Sequence, residues 1–81
     1  MNQTGIEFLL TDLDVAKTFM DVAQTSKNQE TVRRNHKNAR TAYDTVLRLL
    51  EKLTPDPEQR QRIELNLGLV KARLQAVGSQ F

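Results

Sequence analysis

The stretch Leu53-Thr54-Pro55-Asp56-Pro57-Glu58-Gln59 ends one helix and begins another, and the reading of the chain works outward from it. Thr54-Pro55-Asp56-Pro57 is a break. Asp56 can cap the helix that follows, and Pro57 takes the first helical position, where a missing N–H costs nothing. Gln59 can reach back to complete a capping box. Downstream, Ile63, Leu67, Val70, Leu74 and Val77 recur at spacings of four and three, the seam of a third helix over about residues 57–77. Gly78 fits the C′ position that closes such a helix. Gly68 inside it costs about 1 kcal/mol relative to alanine, and is either a point of close approach by a neighbouring helix or a tolerated surface glycine.

Upstream of the break, Val32, His36, Ala39, Tyr43, Val46, Leu50 and Leu53 keep the same alternation, predicting a second helix over about 27–53 with Ser26 as N-cap. A second break, Thr25-Ser26-Lys27-Asn28-Gln29, separates it from a first helix over about 5–24. There Ile6, Leu9, Leu13, Ala16, Met20 and Ala23 form an uninterrupted seam, and Thr4 with Glu7 has the spacing of a capping box. Nothing alternates at period two, so no strand is expected. Both breaks are short enough to be helix–helix connections, which makes sequential helices antiparallel. The expected architecture is all-α, one domain over residues 1–81, three long antiparallel helices closed as a bundle. An open layer of helical hairpins is the alternative. Residues 1–26 carry a balance of −3 and residues 27–53 one of +4, so charge favours laying the first helix beside the second.

Composition narrows the function classes. A chain of 81 residues buries only about 60–65% of its unfolded surface. With no cysteine and one histidine, neither disulfides nor a His/Cys metal site can reinforce that thin core. Twelve basic against ten acidic residues leave a net charge of +2, too small an excess to indicate a nucleic-acid binder by itself. Met1-Asn2-Gln3-Thr4 has no basic region leading into an apolar core, so no secretory signal is expected. No apolar run approaches the roughly 18 residues of a membrane span. The expected compartment is the cytoplasm.

The most informative pattern is a second apolar stripe on two of the helices. Phe8, Val15, Phe19 and Val22 lie away from the seam of the first helix, and Leu65, Leu69, Ala72 and Ala76 lie away from that of the third. A helix apolar on both faces has to be covered on both. Leaving these eight residues in water would create a patch larger than soluble monomers usually show. They are therefore the candidate self-interface, with a twofold homodimer as the simplest assembly and another helical protein as the other candidate partner.

Tests for chemistry give nothing comparable. Asp12 and Asp14 are two apart and diverge around a helix, so they cannot share a metal or a proton. Asp14, Lys17 and Asp21 share a face as a solvated charge ladder, and the serines have no histidine near them in sequence. There is no Gly-rich phosphate loop, metal spacing or nucleotide fingerprint. No catalytic residue, cofactor, metal or small-molecule substrate is expected. His36 holds a seam position and is read as the point where the seam frays into solvent. Arg33, Lys37 and Arg40 share a face of the second helix and could follow phosphates. No aromatic is interleaved for stacking, however, which makes this basic patch a runner-up.

Between the second and third helices, Ala39, Tyr43 and Val46, then Pro55, then Leu67-Gly68 resemble a tetratricopeptide-type hairpin. The resemblance covers about half of the chain. It implies a helix-pair scaffold that binds proteins, and it gives no individual residue a role. Ala39 and Leu67 stand farther apart than the repeat period of about 34 residues allows, and the first helix lacks the signature. The reading at this stage is a non-enzymatic helical interaction domain that self-associates.

Overall fold

The computed structural model describes residues 2–81; Met1, the first residue of the expected domain, lies outside them. Three helices follow one another: α1 (Asn2–Thr25), α2 (Gln29–Leu50) and α3 (Pro57–Ala76). No strand occurs among the described residues. The molecule measures 41 × 20 × 17 Å, one helix length by two helix diameters.

The seams form the core. All six seam residues of α1, together with Ala39, Tyr43 and Val46 of α2 and Ile63, Leu67, Val70 and Leu74 of α3, are buried. No polar or charged side chain of the described residues joins them. Burial of a large aliphatic or aromatic side chain is worth about 1.5–3 kcal/mol, so this one apolar cluster carries the fold. The α1–α2 contact is the most extensive, and α3 lies against both helices, somewhat more on α1. Because α2 reverses the chain and the next turn reverses it again, α3 runs parallel to α1. Lys17 of α1 accordingly donates to Asn66 Oδ1 of α3, and Arg73, farther along α3, pairs with Asp21 at 2.9 Å.

The helix ends depart from expectation in four places, each for a local reason. α1 begins at Asn2, so Thr4 is its third residue and cannot be its N-cap. α2 is capped by Asn28 and not by Ser26: the Asn28 side chain accepts from the N–H groups of Glu30 and Thr31 at 2.9 and 3.1 Å. Ser26 instead accepts from the Asn28 N–H at 3.2 Å, bracing the turn one step earlier. α2 stops at Leu50, short of 53, because a residue preceding proline is pushed out of the helical region and the chain unwinds before Thr54-Pro55. Leu53 still packs on the core from that turn, its methyl carbons lying 3.0 and 3.1 Å from where a Cβ on Gly5 would be. Val77, expected to end the α3 seam, is the C-cap and is half exposed.

The start of α3 follows its reading closely. Asp56 and Gln59 form both arms of the capping box at 2.8 and 2.9 Å, with Pro57 at the first position. At its other end Gly78 takes φ +96°, and the N–H groups of Gly78 and Ser79 return to the carbonyls of Gln75 and Leu74. These two bonds are the Schellman pattern, which turns the chain back on itself.

Candidate interaction surfaces

Each helix presents its second stripe to a different direction. Residues advance by about 100° around a helix. On α1, Lys17 and Asp21 flank the buried seam on the side that meets α3, and Gly5 flanks it on the side that meets the end of α2. Phe8, Val15, Phe19 and Val22 continue from the Gly5 side. They lie over the α1–α2 contact, on the face that α3 does not cover. Phe8, Val15 and Val22 are exposed, Phe8 by 53%. Phe19 is half-buried against the core, as are Ala42 and Leu49 of α2. Near the start of α1 this face opens into a cleft of about 310 Å³ between Gly5, Phe8 and Leu9 on one wall and Leu49, Lys52 and Leu53 on the other.

On α3, Leu65, Leu69, Ala72 and Ala76 are all exposed, Leu65 by 64%. They sit opposite Ile63, Val70 and Leu74 on the helix wheel, facing away from α1 and α2, except that Ala76 at the end of the row also lines a cleft with Met20 and Ala23 of α1 and Val32 of α2. Gly68, beside this row, is exposed and has no atom of the chain within 4 Å of where a Cβ would be, so within this chain it is a surface glycine and not a point of close helix approach. The eight residues singled out from sequence are thus two separate rows on opposite sides of the molecule.

The basic residues of α2 also divide. Arg33 and Lys37 are exposed, whereas Arg40 is committed. Its Nε donates to both carboxylate oxygens of Asp44 at 3.1 and 3.2 Å, and its Nη1 donates to Ser79 Oγ and to the Gln80 carbonyl at 2.9 and 2.7 Å. The guanidinium also lies 3.9 Å from the ring centroid of Phe81, which meets Tyr43 edge-on at 5.2 Å. Lys71 approaches the same ring at 5.3 Å. The residues from Gly78 onward therefore fold back across α2, an arrangement that helical periodicity could not reveal. The signals were present in Gly78, which reverses the chain, and in an aromatic residue three positions later.

The first helix does lie most extensively beside the second, as its charge balance favours. Lys17 pairs at 4.0 Å with Asp14 within α1, and an ion pair between Asp21 and Arg73 links α1 to α3. Arg73 also donates to Gln24 Oε1 at 3.3 Å. His36 is half-buried between two clefts at this end of the bundle. One, of about 440 Å³, is lined mainly by Met20, Ala23, Val32 and Val77; the other, of about 370 Å³, lies against Lys37 and Leu74. Among the described residues no group of three His, Asp or Glu side chains is placed to hold a metal, and no helix is long and apolar enough to cross a membrane.

No protein-family model, curated protein or solved structure matches the chain.

Proposed function

We propose that this chain is a non-enzymatic helical interaction domain that associates with further copies of itself through the outer rows of α1 and α3. The observation that carries the reading is the exposure of Phe8, Val15, Val22, Leu65 and Leu69 on a molecule whose core is already complete without them. Phe8, Val15 and Val22 recur every seven residues and Leu65 and Leu69 are four apart, so each set shares one face of its helix, an order that scattered surface apolars lack. The resemblance of the α2–α3 segment to a protein-binding helical hairpin points the same way.

The test is absolute molar mass by size-exclusion chromatography with light scattering over a concentration series. Mass rising above the 9.3 kDa chain is the expected result. A mass that stays at one chain at every concentration would sink the self-association reading. The runner-up, a nucleic-acid binder using Arg33, Lys37 and Arg40, has less support. Arg40 would have to give up Asp44 and the chain terminus before it could meet a phosphate.

A further inference from the structure

The two outer rows differ in shape as well as in direction. The α3 row is a ridge that starts with two leucines and ends in two alanines, with Gly68 beside it. The face over α1 and α2 has a cleft at one end, between Gly5 and Leu49, and the half-buried ring of Phe19 farther along. A contact between two like faces would set ridge against ridge or cleft against cleft. A contact between unlike faces sets each against its complement.

From this we infer that copies associate head to tail, the α3 ridge of one copy lying in the α1–α2 groove of the next, parallel to α1. This rests on the self-association proposed above. The register follows from counting. With Leu65 in the cleft beside Phe8, the same offset brings Leu69 to the level of Asp12, Ala72 to Val15 and Ala76 to Phe19. The large leucine fills the opening and the small alanine lies under the bulky ring, which is knobs-into-holes complementarity. Glu64, which flanks Leu65, comes to the edge of the groove where Lys52 stands. The docked helix also repeats what α3 already does within its own chain, running parallel to α1 in the groove on the other side of the α1–α2 pair. Since ridge and groove face opposite ways, each added copy offers a fresh ridge. Such a heterologous contact does not close at two chains; it continues into longer rows unless its rotation closes a ring.

The experiment uses two variants of the full chain, a ridge variant carrying Leu65→Glu and Leu69→Glu and a groove variant carrying Phe8→Glu. All three positions are exposed, and helical circular dichroism checks that both variants fold. If either loses helicity, Leu69→Ser and Phe8→Ser replace them in the same design. The wild type is expected to show a mass that climbs past two chains as concentration rises, and each variant alone is expected to stay at one chain. Mixed in equal amounts they are expected to form a pair and stop there, since one intact ridge then meets one intact groove. A wild type that stops at two chains, or a Phe8→Glu variant that still dimerises alone, overturns head-to-tail packing and leaves self-association standing. A wild type that remains a monomer throughout removes both.

Discussion

Replacing Gly68 with alanine should stabilise this protein, and the size of the effect follows from its surroundings. Gly68 lies in the middle of α3, its backbone is not in the left-handed region, and a Cβ placed on it meets nothing within 4 Å. The substitution therefore creates no clash and buries no polar group. What changes is intrinsic helix propensity, about 0.8–1 kcal/mol in favour of alanine, part of it through fewer conformations of the unfolded chain. For a domain of this size, 1 kcal/mol moves the melting temperature by about 4–8 °C. Thermal and urea unfolding followed by circular dichroism, at the lowest protein concentration that gives a signal, should show a Tm higher by roughly 3–8 °C with an unchanged urea slope. Gly78 supplies the opposite sign. At φ +96° an alanine side chain is strained whatever space is available, so Gly78→Ala should lower stability by about 1 kcal/mol. A destabilised Gly68→Ala chain under conditions where it is monomeric would refute the reasoning, because something within the fold would then have to occupy the space beside that helix.

Other outcomes can be read from the same structure. Asn28→Ala should cost about 0.5–2 kcal/mol by leaving two α2 N–H groups without their acceptor, and Ser26→Ala distinctly less; urea midpoints compare the two directly. Leu13→Ala removes a fully buried side chain from the centre of α1 and should cost about 2–5 kcal/mol in the same assay. Arg40→Ala should lower global stability by only about 1 kcal/mol, since its pairing with Asp44 is largely exposed. In that variant the amide resonances of Ser79–Phe81 should move to random-coil positions while those of α1 stay in place.

Most of the interior was legible from spacing, although Val32, His36, Leu50 and Leu53 of the α2 seam are only half-buried. Every seam residue of α1 is buried, because a helix packed against two others has one direction inward and its sequence marks that direction six times. The capped start of α3 was equally clear, since Asp56, Pro57 and Gln59 act within a single turn and depend on nothing distant. Reading failed where two local solutions competed. Ser26 and Asn28 are both good caps, and the choice depends on how the turn from α1 is braced. Thr4 had a capping partner at the right spacing, but α1 begins two residues earlier. The charges of α1 and α2 favoured laying the two side by side, and theirs is the most extensive contact, but a summed charge could not show that Asp21 reaches Arg73 of α3. The surfaces were legible as residues and not as faces. Spacing within a helix identifies Phe8 and Leu65 as surplus apolar residues, but only the packing of three helices shows that they look in opposite directions.

Tyr43 gives the fold a built-in optical probe. It is the one tyrosine of a chain without tryptophan, and its buried ring touches Phe81 edge-on beneath the Arg40 guanidinium. Ellipticity in the tyrosine band, to the long-wavelength side of the phenylalanine signals, and tyrosine emission therefore report on a single ring, at the spot where the last residues rest on α2. Release of that segment would change the signal while the helical far-ultraviolet spectrum stayed constant, and loss of the whole fold would change both together. Two wavelength ranges on an unlabelled sample thus separate peeling at the carboxyl end from unfolding of the bundle.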